Sequence, residues 1–597
     1  MNRLLILLAA LLVSSCSEKV FHGEDFGIFP NTGEDYSQEF VHAFNTIRST
    51  AKNRPTRLVL AKGSYDFYPN RLTRELYISN HDQHNPKHLG ILLENMQHFT
   101  LDGNGSDFYM HGRMLPIALI GCEDCQIENL SIDTPIPQIT QIEILENDSQ
   151  RGLITYRLED YVRYRIVDGR LVVGDAPDPS LPEAGSWHLT PTAGIAFEPE
   201  TKHIVYRTSD IAVGCYPVEE IAPRVIQAQW KDARLLPGTR VAMRSYARPT
   251  PGIFLHGCKD TRIHNTVVHY AEGMGLLAQV CENIDLEHFS VAIREGSGRY
   301  FTTQADATHF SGCKGHIRSV GGLYENMMDD AINVHGTYLR VKEQISKREV
   351  IACYMHPQTY GFHWGAAGDS IQLIRSSTME VVSRHQIQSI EAVDAKEDAF
   401  GAKAFKITFR DTLPEDIANG EYGLENLEWT PSVLFADNII RNNRARGALF
   451  STPSRVVVER NFFDHTSGTA ILLCGDCNGW YETGACREVI IRENRFLNAL
   501  TNLFQFTNAI ISIYPVIPKL EEQQQYFHGD PQGGVLIENN LFETFDTPLV
   551  YARSLDGLVF RNNEVRHNQD YEPFHWNQEP FLLEHVNRAY IEYVEKK

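Results

Sequence analysis

Two short stretches set aspartates at matching points of what reads as one repeated coil of backbone. The first is Ala305-Asp306-Ala307-Thr308-His309-Phe310-Ser311-Gly312, and the second is Asp329-Asp330-Ala331-Ile332-Asn333-Val334-His335-Gly336. Aligning the two glycines puts Asp306 on Asp330, 24 residues further along. That period suits one coil of a parallel β-helix, three short strands and three turns, whose successive coils stack about 4.8 Å apart. Asp306, Asp329 and Asp330 are therefore expected to converge. Like charges held together raise at least one carboxyl pKa, which supplies an acid and a base at neutral pH. This is glycosidase chemistry. The structural alternative, a salt-bridge cluster, has to explain Asp-Asp inside Met327-Met328-Asp329-Asp330-Ala331-Ile332, where an unpaired charge is costly. Regular stacking implies carboxylates about 5 Å apart, the retaining separation, rather than the inverting range of about 6.5–9.5 Å. It also turns Asp329 and Asp330 to opposite faces. A bulge or strand end at this point would bring both into one groove.

Other residues surround this cluster. A glycine-rich loop, Arg294-Glu295-Gly296-Ser297-Gly298-Arg299-Tyr300, leads into the strand carrying Asp306. Such insertions often line the binding face of a solenoid, so Arg294, Glu295 and Gln304 are candidates for sugar hydroxyls, with a solvated turn as the plain alternative. His309, Asn333 and His335 share strands with the aspartates, and strand alternation turns only some of them to the groove.

The stacking needs a solenoid, and repeats supply one. A turn, a β-branched strand and an Asn-rich corner recur through the chain. The later copies read Ile440-Arg441-Asn442-Asn443, Val458-Glu459-Arg460-Asn461, Ile491-Arg492-Glu493-Asn494, Ile537-Glu538-Asn539-Asn540 and Phe560-Arg561-Asn562-Asn563. Asparagine tolerates left-handed corners, and stacked amides can pair as a ladder. A propeller would need a longer repeat, about 40 residues. Two segments break the pattern with strand-like runs between turns, so each is expected to be an inserted antiparallel, barrel-like module. The fold class is thus all-β, a right-handed parallel β-helix. Its expected parts are N-terminal cap and first coils at 20–133, one inserted module at 134–250, site-bearing coils at 251–336, a second module at 337–432 and closing coils at 433–597. Phe40, Val41, Phe44 and Ile47 give Ser37–Ser49 an amphipathic pattern, as of a helix covering the open apolar end.

Cys122, Cys258, Cys281 and Cys313 each precede a strand, so a buried ladder is expected. The CxxC pairs Cys122/Cys125 and Cys474/Cys477 lack histidines at zinc-ligand spacing. No metal or other cofactor is expected. Net charge is −21, which excludes a protein that tracks nucleic-acid phosphates. The apolar run Leu4 to Val13 is too short to span a bilayer, and Val13-Ser14-Ser15-Cys16 resembles a lipobox. Residues 1–16 are therefore expected to be a lipoprotein signal, with Cys16 lipidated and the protein held on the bacterial envelope.

The stretch from Asn80-His81-Asp82-Gln83 through Asp306, Asp329-Asp330 and Asn333-Val334-His335-Gly336 resembles the bacterial α-1,3-galactosidases of glycoside hydrolase family 110, over essentially the whole mature chain. The resemblance implies release of terminal α-1,3-linked galactose from blood-group-B-type glycans, by inversion and without metal. It implies Asp329 as general acid, which calls for a raised pKa, with Asp306 and Asp330 positioning and deprotonating water. A more distant likeness to polygalacturonases lacks their Arg-x-Lys signature after His-Gly, which argues against a uronate substrate. Two other classes stay open. A β-helix lyase would need a basic proton acceptor and often calcium, and a glycan-binding adhesin would have no use for a buried Asp pair.

Overall fold

The computed structural model describes residues 18–51, 54–175, 185–393, 401–417, 421–502, 504 and 507–593. Cys16 and the signal-like segment lie outside them.

Short β-branched and aliphatic runs, separated by left-handed Asn and Gly corners, stack as parallel strands. One sheet holds β1 (Lys87–Glu94), β2 (Leu115–Ile120), β3 (Ile253–His256), β4 (Leu276–Gln279), β5 (Thr308–Ser311), β6 (Ile332–Thr337), β7 (Ala448–Ser451), β8 (Ile471–Leu473) and β9 (Ile511–Ile513). Each pairs with the next, all parallel. Two further parallel stacks, one through Lys314–Val320 and Ser432–Ala436 and one through Leu323–Glu325 and Ile439–Arg441, close the other sides of each coil. The chain is a parallel β-helix.

Its interior is filled by like residues on like. Phe463 and Phe496 stack at 5.1 Å between ring centres, and Phe496 and Phe542 at 4.8 Å. Cys122, Cys258, Cys281 and Cys313 are free, buried thiols in the same core, as the packing reading expects. Helix α1 (Ser37–Ala51) buries Phe40, Ala43, Phe44 and Ile47 against the first coil.

Two modules interrupt the coils. In the first, seven antiparallel strands run from Thr140 to Arg244 around their own core, beside a separate three-stranded sheet. In the second, six strands between Leu339 and Asn426 close into a barrel.

The asparagine ladder forms, with one change of register. Asn461 donates to Asn494 at 3.0 Å, Asn494 to Asn540 at 3.0 Å and Asn540 to Asn563 at 2.9 Å. The residue stacked before Asn461 is Asn438, at 3.1 Å, and not Asn443. Ala436 pairs with Glu459, so the repeated phrase at Ile440–Asn443 is one strand out of step with its apparent copies. The ladder satisfies side-chain amides that would otherwise be orphaned in the core. Asn461→Ala should therefore cost about 1–3 kcal/mol, and more than Asn563→Ala at the ladder's end. Chemical denaturation of the two variants checks this, and equal losses would remove the ladder from the stability account.

Candidate active site

The register that builds the β-helix also builds the site. Thr308 pairs with Ile332, and Ile332 with Ala448. The residues two places before these are Asp306, Asp330 and Arg446, one per coil. All three lie in turns that enter β5, β6 and β7 rather than in the strands. Asp329 sits one place earlier in the same turn as Asp330. Both aspartates precede the strand, which begins at Ile332, so the strand end anticipated at this point is present and alternation does not separate them. Oxygens of Asp306, Asp329 and Asp330 lie within 4.8 Å of one another.

Four arginines face these acids. Arg446 Nη2 is 2.8 Å from Asp330 Oδ2, and its backbone N–H donates to Asp330 Oδ1 at 3.2 Å. Arg248 Nη2 donates to Asp329 Oδ2 at 3.2 Å, and Arg444 Nη1 is 3.6 Å from Asp329 Oδ1. Asp210 holds Arg444 with two charge-assisted bonds of 2.7 and 2.6 Å. Asp82 accepts the Arg248 backbone N–H at 2.7 Å. Arg244 is wholly buried and donates to the Met328 carbonyl at 3.2 Å. Its burial, with Arg444 alongside, draws its guanidinium down to about 10.

These surroundings divide the acids. Burial, with the Asp329 charge nearby, pushes Asp306 up to about 7. Burial also raises Asp330 well above the usual range, against the opposing pull of Arg446. Burial works in the same sense on Asp329, but Arg446, Arg444, Arg248 and Arg244 outweigh it and hold its carboxyl below the usual range. The raised pKa expected of Asp329 is not found in the open pocket, because the arginines cluster on that member of the trio.

Asp306, His309, Asp329 and Asn333 line a cavity of about 440 Å³, together with Asn80, Trp480 and Glu482, a volume in the range of small-molecule sites. Asp329 Oδ1 and Asn333 Oδ1 are buried there without a hydrogen-bond partner. Trp480 stacks on His356 at 4.2 Å. Its backbone N–H and those of Asn478 and Gly479 all donate to Asp476, which fixes this loop. His335 lies just behind the wall, 2.8 Å from His309.

Three candidates fall elsewhere. Arg294 binds Asp133 at 2.6 Å and Asp107 at 3.1 Å, because the carboxylates of other coils need its charge. Glu295 is exposed on the same loop and does not line the cavity. Gln304 is buried, donates to the Ser245 carbonyl and likewise stays outside the lining. The residues that sequence reasoning missed are the arginines, Asp210, Trp480 and Glu482. Arg446 alone carried a signal, since Arg444-Ala445-Arg446-Gly447 enters the next strand of the sheet as Asp329-Asp330-Ala331 enters β6.

Among the described residues, two groups of side chains could in principle hold a metal ion. The aspartate trio is already matched by guanidinium groups, with which a cation would have to compete. In the other, His203, Asp464 and His465, the rings of His203 and His465 are stacked 3.7 Å apart, so their in-plane lone pairs run side by side and do not converge.

A buried trio of acids on a β-helix wall, two of them lining a polar cavity, is an arrangement suited to carbohydrate chemistry. Family models named GLAA-B beta-barrel domain I and GLAA-B beta-barrel domain II match residues 140–241 and 349–422. The chain is 54% identical to a protein of Phocaeicola vulgatus named alpha-1,3-galactosidase B, over 99% of this chain and 100% of that one. It is 53% identical to the Parabacteroides distasonis protein of the same name, over 98% and 95%. The chain belongs to this family of bacterial α-1,3-galactosidases. Among solved structures it overlaps the A-module of a mannuronan C-5 epimerase from Azotobacter vinelandii, with a TM-score of 0.40 and 8% identity over 97% of this chain and 100% of that one.

The raised Asp306 has a consequence for stability. Between pH of about 4 and about 7 the folded protein keeps a proton that the unfolded chain has released, so this group makes stability fall as pH rises through that window. Asp306→Asn should therefore stabilise, by on the order of a few kcal/mol at pH 8 and by less at pH 5. Melting of both proteins at the two pH values checks the sign, and an advantage that shrinks with pH would contradict it.

Proposed function

We propose that the protein is an exo-acting α-1,3-galactosidase that removes terminal galactose from branched blood-group-B-type glycans and from linear Galα1-3Gal, with inversion. The observation that carries this reading is the trio of convergent buried aspartates in a family whose named relatives are α-1,3-galactosidases. Asp329 donates the proton to the glycosidic oxygen. That oxygen accepts a hydrogen bond from the neutral carboxyl and so favours its protonated form, against the arginines that ionise it in the open pocket. Asp306 and Asp330, stacked one coil apart, hold the attacking water and take its proton. Trp480 offers an aromatic face to the sugar, and Asn333 Oδ1 an acceptor for a hydroxyl.

One other reading has specific support. The acids approach within 4.8 Å, nearer the retaining separation of about 5 Å, and Asp329 is the most readily ionised of them. In that reading Asp329 is the nucleophile and Asp306 the proton donor. The proposal extends to location: Cys16 carries lipid and anchors the mature chain to the cell envelope.

Three measurements test these readings. NMR of the first product should show β-galactose, whereas α-galactose appearing first would select the retaining reading. Asp329→Asn should lose roughly 10²–10⁴-fold in rate on natural glycans. It should lose far less on aryl α-galactosides whose leaving group needs no proton, and an equal loss on both would remove Asp329 as the acid. Cys16→Ser should move the protein from the membrane fraction to the soluble one, and a protein that is soluble with Cys16 intact would end the anchor proposal.

A further inference from the structure

Along the cavity wall, four titratable side chains stand in a line, with His335 alone set behind the lining. His309 Nδ1 is 2.6 Å from Asp306 Oδ2, and His309 Nε2 is 2.8 Å from His335 Nε2. His335 Nδ1 is 2.6 Å from the Gly336 carbonyl oxygen, and His335 Nε2 is 3.5 Å from Glu482 Oε1. Burial disfavours charge on this line, and with both rings neutral the contacts fix the proton positions. A carbonyl only accepts, so His335 Nδ1 carries a hydrogen. The two Nε2 atoms share one proton, and with both rings neutral it belongs to His309. His309 Nδ1 is then bare and has to accept, which makes Asp306 Oδ2 the donor. In the open site Asp306 is therefore a neutral acid.

That is the wrong state for a group that must take a proton from water. We propose that Asp306, His309, His335 and Glu482 form a proton relay that converts Asp306 to a carboxylate without opening the cavity. The proposal rests on the assignment of Asp306 to the attacking water. In the relay the Asp306 O–H bond breaks as His309 Nδ1–H forms, and His309 Nε2–H breaks as His335 Nε2–H forms. Two bonds to hydrogen break, two form, and the net charge of the line is unchanged. The line ends as an Asp306 carboxylate and a His335 imidazolium facing the Glu482 carboxylate. His309 and His335 act through Asp306 and are positioning residues.

Other features favour this arrangement. The His335 side chain is fully buried, while that of Glu482 keeps 13% exposure, so the relay passes through the one member behind the lining toward its most accessible member. Asp329 and Asp330 from the next coil, Arg446 from the coil after it and Arg248 from beside the first module face the Asp306 end. His81, itself buried, faces His309. Burial, and then His335, hold His309 well below its ordinary range, which keeps the middle ring neutral, as a carrier requires. Glu482 is the acid facing His335.

The test uses the full chain and an aryl α-galactoside with an activated leaving group, so that the pH profile reports water activation alone. The wild type should give a flat kcat/KM from pH 5 to 8. His335→Gln keeps an acceptor for His309 Nε2–H but cannot take up a proton. Its kcat/KM should fall about tenfold per pH unit below about 7 and come within about threefold of wild type at pH 8. A loss of the same factor at every pH would mean that His335 only packs, and a profile equal to wild type would mean that no relay operates. Either result overturns the proposal. Should His335→Gln not fold, Glu482→Gln at the exposed end carries the same test, with the same rise of the acid limb expected and a flat profile overturning it. Failure of the underlying assignment reads out separately, since Asp306→Asn would then keep its rate on this substrate.

Discussion

Hydrogen bonding between parallel strands in strict register is the constraint on which the rest of this protein depends. Once Thr308 pairs with Ile332 and Ile332 with Ala448, each turn that enters these strands is fixed relative to the one below. A carboxylate at that turn meets another one coil later, and a guanidinium one coil after that. The same constraint stacks phenylalanines in the core and asparagines at the corner. A slip of one residue would turn every one of these side chains to the wrong face, so the parts that stabilise the fold also aim the acids.

Stacking alone would leave three buried acids in mutual repulsion. The two modules change that balance. Asp210 of the first module binds Arg444 of the β-helix through two bonds, and Arg248, just beyond that module, reaches Asp329. Gln358 of the second module donates to Asp82 at 3.1 Å, and Asp82 in turn holds the Arg248 backbone. Module docking and the charge state of the site are therefore one set of contacts. Loss of either ion pair would leave a buried charge without its partner, the situation in which such pairs matter most.

The legible part of the molecule is the part that repeats without interruption. Asp306 and Asp330 could be paired from the sequence because nothing intervenes between their coils. Arg446 occupies the same position one coil later, but the barrel module falls between, so the period is lost even though the structure keeps it. Arg244 ends a module that follows no solenoid period, Arg248 lies just beyond it, and only docking brings them in. Arg294 was legible as a charged loop residue but not in its place or its role. Loop length pointed to a subsite, while the acids of neighbouring coils, Asp107 and Asp133, decided where the guanidinium went. The phrase at Ile440–Asn443 misleads for a related reason. Two corners of one coil share the same asparagine chemistry, and composition alone does not tell them apart.

The division among the three aspartates follows from where their neighbours lie. Asp329 faces all four arginines at the cavity and is ionised when the site is open. Asp330 is fully buried against one arginine, and Asp306 faces a neutral histidine. The protons of the trio therefore start on the two coil-stacked acids, Asp306 and Asp330, and not on Asp329. In the mechanism we propose, a substrate oxygen at Asp329 and a path for the proton away from Asp306 shift that distribution in the same direction, toward an acid at the glycosidic bond and a base at the water. The two shifts act on different atoms and through different walls of the cavity. The unliganded site can thus hold its buried acids in their least costly arrangement and still reach the working one when sugar fills the pocket.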